Sequence, residues 1–311
     1  MKKILVPIDF STYSMNALEV AIYIAKVKEM SIRLLHVVED TYTPYYNMAG
    51  IGMFEDSTLF NFKKELQEKV ASQLKEIADT KISAMGINVE MEVLIDNPRR
   101  KILNDINAED IDLVVMGSHG FSGVEDIFIG GTSEKIIRTS SVPVITVQNI
   151  PSDYKINKIV FASDFIDDEV EEILNRVIQF AEVFIAELFL VRINTHEKHS
   201  NDQLSRERIS ALAAKFKFPA GSITTYADRN EEEGIVNYSK EIGADLITLC
   251  THGRTGFARL FNNSIAEEVA GNSTVPVLTY NITKDKYLKS IAAVKRESRL
   301  GSILKTKKGK F

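Results

Sequence analysis

The chain has 311 residues, enough for two small domains with a core each, and its 44% hydrophobic and 26% charged residues exclude collagen-like, coiled-coil and disordered classes. The net charge of −5 conceals a split, because residues 284 to 311 hold ten Lys or Arg against Asp285 and Glu297, a tail of +8 behind a body of −13. An acidic body argues against nucleic acid as the main partner, and the tail reads as a solvated terminus.

The chain opens on two lysines and too few apolar residues before Asp9 to make the core of a secretory signal. No run approaches the roughly 18 apolar residues that span a bilayer, and one cysteine, Cys250, excludes an internal disulfide framework. A cytoplasmic protein without a membrane partner is expected.

Residues 3 to 8 have the length and apolarity of a strand, and from Tyr13 to Val27 the residues Ala17, Val20, Ala21, Ile24 and Ala25 share one helical face. Ser31 to Val38 predicts a second strand, residues 56 to 83 a long helix with a Lys/Glu face, and Val89 to Ile95 a third strand. Asn97 as N-cap and Pro98 at the first helical position start a helix to residue 108. Ile111 to Met116 is a buried-type strand, followed by a Gly-rich loop, a helix from Thr132 to Thr139, and a last strand Val142 to Val147.

The order then repeats. Lys3-Ile-Leu-Val-Pro-Ile-Asp9-Phe10 returns as Lys158-Ile-Val-Phe-Ala-Ser-Asp164-Phe165, and the loop around His119-Gly120 returns around His252-Gly253. Strands are expected near 158–163, 186–193, 222–228, 245–250 and 276–280, with helices near 168–183, 201–216, 231–242 and 264–271. Residues 41 to 59 form a loop present only in the first copy. Alternating strands and helices require parallel strands joined by right-handed crossovers, hence two tandem doubly wound α/β units. The expected divisions are 1–150, 151–282 and a basic tail 283–311.

In such sheets a ligand sits beyond the carboxyl ends of the strands, where strand order reverses. Asp9 closes the first strand and Gly117-Ser-His-Gly120 the fourth. Glycines let an anion approach backbone N–H groups, and the helix starting near Thr132 offers a positive N-terminus. A carboxylate would repel phosphate but accept from an adenine amino group or ribose hydroxyl, so the two groups suit opposite ends of one nucleotide.

The spacing Gly117-x-x-Gly120-x9-Gly130 after a fourth strand, with Val-Pro-Ile-Asp9 before it and Val142-Pro-Val-Ile-Thr-Val147 after it, resembles the universal stress protein family in its tandem two-domain form. The resemblance covers about residues 2–148 and 157–281. It implies five strands per unit in the order 3-2-1-4-5, an adenine nucleotide alpha hydrolase-like fold, and a two-fold contact through the last strands, formed internally or in a homodimer. It also implies ATP or AMP as ligand, with or without Mg²⁺. Carried over, Asp9 and Val37 would meet the adenosine end and Gly117, Gly120 and Gly130 the phosphates, with Pro7, Met116, His119, Gly131, Thr132 and Ser133 also among the nucleotide-binding residues. Gly131 departs from the family's Ser or Thr, and Glu125 and Asp126 make the loop acidic. The second-copy equivalents are Asp164, Gly253, Arg254, Asn263 and Ser264, where Arg254 and Arg259 make the loop basic but Cys250 and Asn263 replace glycines. The first copy is taken as the nucleotide site.

No Walker A lysine loop and no Gly-x-Gly-x-x-Gly opens a helix. His196 and His199 lack partners for a metal site, His119 and His252 show no paired nucleophile, and Cys250 reads as a small apolar side chain. The expected function is a stress-response protein that acts by binding adenine nucleotide rather than by turnover. A nucleotide-independent scaffold or regulatory dimer, and a slow ATPase, are the alternatives.

Overall fold

A computed structural model of the chain describes residues 2–39, 57–108, 110–120, 129–166, 169–195, 202–219, 221–251 and 264–282. The first half runs β1 (Lys3–Pro7), α1 (Thr12–Lys28), β2 (Ser31–Glu39), α2 (Ser57–Ile77), β3 (Val89–Asp96), α3 (Pro98–Ala108), β4 (Ile111–Gly117), α4 (Gly131–Thr139) and β5 (Val144–Val147). The second runs β6 (Lys158–Ala162), α5 (Glu169–Phe184), β7 (Glu187–Asn194), α6 (Asp202–Phe216), β8 (Ile223–Ala227), α7 (Glu231–Ile242), β9 (Leu246–Thr251), α8 (Ser264–Asn272) and β10 (Val277–Asn281).

Each half has the order 3-2-1-4-5, and the halves join edge to edge into one ten-stranded sheet, β3-β2-β1-β4-β5-β10-β9-β6-β7-β8. Strands within a half are parallel, whereas β5 and β10 run antiparallel, with Val277 opposite Thr146 and Thr279 opposite Val144. That single antiparallel pair gives the tandem chain its internal pseudo-two-fold.

The sheet is covered on both faces, so its central strands are apolar throughout rather than alternating. On one face Ile4, Val6, Ile24, Ile145, Phe161, Val177 and Leu278 belong to a buried cluster that crosses from one half to the other. On the other face Leu5, Val114, Ile136, Val144, Val160, Val269 and Val277 do the same. The five α1 residues placed on one face by their spacing are all buried.

Two local departures have physical causes. Both last strands start one residue after a proline, Pro143 and Pro276, which has no N–H to give a ladder. The long second helix ends its α-helical part at Ile77, passes through a π turn at Ala78–Ile82 and a 3-10 turn at Ser83–Met85, and stops at Gly86 with φ 75°. Its buried residues Val70, Leu74, Ala78 and Ile82 are four apart. A repeat of four overruns 3.6 residues per turn, so one widened turn keeps the last two against the sheet.

Between the halves, the Arg138 guanidinium on α4 donates two hydrogen bonds to the largely buried carboxylate of Glu267 on α8, from Nε and, at 3.1 Å, from Nη2. Asn281 Nδ2 also donates to the Arg138 carbonyl at 2.7 Å. Burial raises the Glu267 pKa while Arg138 pulls it down. Arg138→Ala is therefore expected to lower stability by about 1–2 kcal/mol, less than a fully buried pair because the arginine is partly solvated. Urea unfolding of the full chain measures this; an unchanged midpoint would show the pair to be neutral.

The residues 41–56, Glu125, Asp126, His196, His199, His252, Gly253, Arg254, Arg259, Asn263 and the tail from 283 lie outside the described residues. No helix of the described residues is long and apolar enough to cross a membrane.

Candidate functional site

At the carboxyl ends of β1 and β4, where the strand order of the first half reverses, lies a cavity of about 460 Å³. All eleven first-copy residues singled out from the sequence line it: Pro7, Asp9, Val37, Met116, Gly117, His119, Gly120, Gly130, Gly131, Thr132 and Ser133. Glu39, Asn97 and Arg99 line it as well.

Asp9 is held by the start of α1. Its Oδ1 accepts from the Ser11 N–H at 3.0 Å and the Ser11 hydroxyl at 2.6 Å, while Ser11 caps α1 through the Ser14 N–H. The other carboxylate oxygen faces Gly120, where an added Cβ would lie 3.2 Å from it. Phe10 follows with φ 63°, and its counterpart Phe165 has φ 60°. A left-handed non-glycine residue costs on the order of 1 kcal/mol, and both halves keep it immediately after the aspartate. Asp164 repeats the local bond, its Oδ1 accepting from the Ile166 N–H at 3.1 Å.

Val37 matters through its backbone. The Leu35 carbonyl accepts from Ile8, and alternation along a parallel strand puts the N–H and C=O of Val37 on that same edge. Because β1 ends at Pro7, opposite Leu35, the Val37 groups point past the strand end into the cavity. His36, whose backbone faces β3, turns its ring to the end of β1 and donates from Nδ1 to the Ile8 carbonyl at 2.7 Å; burial holds its pKa below the usual histidine value.

The phosphate-type end is built from the loop flanks. Gly130 N–H donates to the Ser118 carbonyl at 2.8 Å, and the Ser133 hydroxyl donates to the Gly117 carbonyl at 2.8 Å. These bonds fix the start of α4, whose N-cap Gly130 offers no side-chain hydrogen bond among the described residues, so its first-turn N–H groups face the cavity as donors. The Ser133 hydroxyl is engaged with Gly117, leaving Thr132 as the half-exposed hydroxyl on the cavity wall. His119 Nδ1 lies 2.9 Å from the Ser118 hydroxyl and its ring 5.2 Å from that of Tyr13.

The reason given for one of the glycines needs correction. A Cβ at Gly117 would lie 2.9 Å from the Tyr13 carbonyl carbon and 3.0 Å from the Ser14 nitrogen. Gly117 thus lets α1 pack on the end of β4 rather than letting an anion approach. Cys250, its counterpart near the end of β9, is partly buried and packs against the apolar core, as a small apolar side chain would. Gly117→Ala is expected to cost about 1–3 kcal/mol, because backbone rather than a side-chain tip must move. A thermal melt equal to that of the parent chain would show that the start of α1 yields freely.

Glu39, Asn97 and Arg99 were missed as site residues by sequence reasoning, and Arg99 is the one that brings a positive charge. It is the second residue of α3, and its guanidinium Nη2 would lie 2.6 Å from a Cβ at Gly131. The absent side chain at Gly131 is what lets Arg99 reach the start of α4. Its neighbour Arg100 pairs with Asp96, while Arg99 makes no ion pair among the described residues. The signal was available: basic residues in a first helical turn oppose the helix dipole at about 0.3–1 kcal/mol each. In the second half the matching turn is Glu231-Glu232-Glu233, as the dipole prefers. The helices correspond, since Asn97 accepts from the Arg100 N–H at 3.1 Å and Asn230 from the Glu233 N–H at 2.8 Å. Where the first half places Arg99, the second places Glu232.

Among the described residues no group of three or more His, Cys, Asp or Glu is arranged to hold a metal ion. Fold and cavity together define a class, the α/β proteins with a ligand crevice at the switch point of a doubly wound sheet. The model of the universal stress protein family matches residues 1–148 and 155–281, and the chain belongs to that family, in tandem form. It is similar to universal stress protein YxiE of Bacillus subtilis, 29% identical over 146 residues that are 47% of this chain and 98% of the relative. Universal stress protein MJ0577 of Methanocaldococcus jannaschii is 27% identical over 157 residues, 47% of this chain and 94% of its own. The crystal structure of a universal stress protein from Archaeoglobus fulgidus shares the fold with a TM-score of 0.68 at 21% identity, covering 90% of this chain and 98% of that one. Family membership supports a stress-response role.

Proposed function

We propose that the first half binds one adenine nucleotide, ATP or AMP, and that the protein acts in the cytoplasmic stress response through the bound state rather than through turnover. What carries this reading is the convergence on one cavity of groups with opposite tasks. Asp9 and the Val37 backbone edge suit the adenosine end. The uncapped N-terminus of α4, the Thr132 hydroxyl and Arg99 suit the phosphate end. Mg²⁺, where it accompanies ATP, would be held by the phosphates, with the Thr132 hydroxyl as the protein group at that end of the cavity.

The choice between halves rests on the glycines together with the charge at the helix start. Glycines alone favour the first half and Arg254 with Arg259 favour the second, but Arg99 against Glu232 reverses the electrostatic preference at the helix start. A like charge there repels phosphate by on the order of 1 kcal/mol after screening. The β5–β10 pairing uses both last-strand edges within one chain. The second reading is a nucleotide-independent scaffold, motivated by Glu125, Asp126, Gly131, Cys250 and Asn263, which depart from the family's phosphate loop.

Mass spectrometry and the ultraviolet spectrum of whatever is released from the purified, heat-denatured full chain separate the two. An adenine nucleotide at close to one per chain is the expected result. A protein free of nucleotide, whose melting is unmoved by millimolar ATP or AMP, would leave only the scaffold.

A further inference from the structure

A second cavity, of about 670 Å³, lies between the halves, where the amino ends of β1, β4 and β5 meet β10 and helix α5. That volume falls in the range of small-molecule sites. Lys2, Lys28, Gln179 and Phe180 line it, over an apolar floor that includes Val142 and Leu278. Arg176 and Tyr280 border it as well, but the guanidinium stacks on the tyrosine ring at 4.8 Å and both have further partners, so they count only as fixed wall. Nothing in the nucleotide reading uses this place.

The pseudo-two-fold supplies an internal comparison. Lys28 and Phe184 are the last residues of α1 and α5, each followed by a left-handed residue, Glu29 at φ 51° and Ile185 at φ 55°. Tyr23 and Gln179 stand five residues before those two helix ends, and Lys2 and Asn157 each precede the first strand of their half. At the matching place beside the second half three rings come together, with Tyr23 5.4 Å from Phe184 and 5.9 Å from Tyr154. Tyr154, from the connection between β5 and β6, fixes its hydroxyl on the Asp245 carbonyl at 3.1 Å. At the cavity the counterparts of Tyr23 and Phe184 are the amide Gln179 and the ammonium Lys28, and Lys2 replaces the neutral Asn157. Rings are exchanged for charge, while Phe180 and the apolar floor remain.

The charge is one-sided. Asp112 is the sole carboxylate among the lining residues, and its Oδ2 accepts from the Lys3 N–H at 3.3 Å. Lys28 Nζ stands 5.1 Å from the Phe180 ring centre, and neither Lys2 nor Lys28 forms an ion pair among the described residues. Burial, and then repulsion from Lys2 and Arg176, lowers the pKa of Lys28. An anion beside Lys28 would oppose both effects.

We infer that this cavity binds a small aromatic carboxylate, with its ring against Phe180 and the apolar floor and its carboxylate at Lys28 and Lys2. The ring supplies apolar burial, and the charge-assisted contact selects the acid over a neutral analogue. Such a ligand touches both halves, on the edge opposite the nucleotide crevice, and the inference does not rest on the nucleotide reading.

The chain contains no tryptophan, so indole fluorescence reports an indole ligand alone. Titration of indole-3-acetate with the full chain, read by anisotropy, tests the site, with indole-3-acetamide as the neutral probe and acetate as the ringless one. Saturable binding at about one per chain is expected, with the amide at least about tenfold weaker and acetate a poor competitor. Lys28→Met should weaken the acid about tenfold and bring it level with the amide. Lys2→Met, which leaves α1 untouched, should weaken it in the same direction. Equal affinity for acid and amide in the parent chain would overturn the inference, as would an affinity for the acid that neither variant changes. Displacement of the indole by millimolar ATP would place it in the nucleotide crevice and overturn the inference too. A chain that fails to bind ATP but keeps the acid-over-amide preference would sink the nucleotide reading and leave this site standing.

Discussion

Arg99→Glu is expected to weaken ATP binding by about 100-fold while changing adenosine binding by no more than about threefold. Removing a charge-assisted hydrogen bond to phosphate loses about 1.5–3 kcal/mol. The introduced carboxylate adds repulsion on the order of 1 kcal/mol, and about 3 kcal/mol together corresponds to the stated factor. The substitution copies into the first half what the second half carries at Glu232. It should leave stability unchanged or raised, because an acidic residue in the first turn of α3 agrees with the helix dipole. Calorimetric titration with ATP, AMP and adenosine reads the effect. An equal loss for all three ligands would mean that Arg99 does not face the phosphates.

Asp105→Ala is expected to be the most destabilising of the single changes considered, by about 3 kcal/mol, the lower end for breaking a buried ion pair. Asp105 on α3 is buried at 3% exposure and receives Arg33 Nε from β2 at 2.9 Å and Lys101 Nζ at 2.8 Å. Glu90 and Glu92 on β3 complete the cluster around Arg33, and Lys101 reaches Glu92 at 3.1 Å. These remaining carboxylates keep Arg33 from complete isolation, which sets the estimate at the low end. For 311 residues unfolding as one unit the melting temperature should fall by about 5 °C. Adding Arg33→Met should recover part of the loss, since the stranded cation is then gone. No recovery would place the cost in packing of α3 instead. Because the cluster fixes α3 on the sheet, it also holds Arg99 at the cavity.

The strand and helix sequence was legible almost to the residue because apolar runs, Pro98 and the repeat of Lys-Ile-x-x-x-x-Asp-Phe are local signals. Asp9 and the glycines could be assigned to one crevice because chain order and the switch-point rule place them at neighbouring strand ends. Reasons for individual residues were less accessible. Gly117 reads as a phosphate glycine until the backbone of Tyr13 is found where its Cβ would be. Arg99 reads as an ordinary helix residue, and only the packing of α3 beside α4 brings it to Gly131. The π turn at Ala78–Ile82 shows in the four-residue spacing of its buried side chains. The cavity of Lys28 and Arg176 exists only because two halves pair through β5 and β10, a contact that no single half encodes.

The most direct measurement for a single nucleotide site in the first half is calorimetric titration of the full chain with ATP, in the parent, in Asp9→Ala and in Asp164→Ala. The expected result is one site per chain, weakened at least about tenfold by Asp9→Ala through loss of a hydrogen-bonding carboxylate and unchanged by Asp164→Ala. Two sites per chain, or binding that survives Asp9→Ala and disappears in Asp164→Ala, would contradict it.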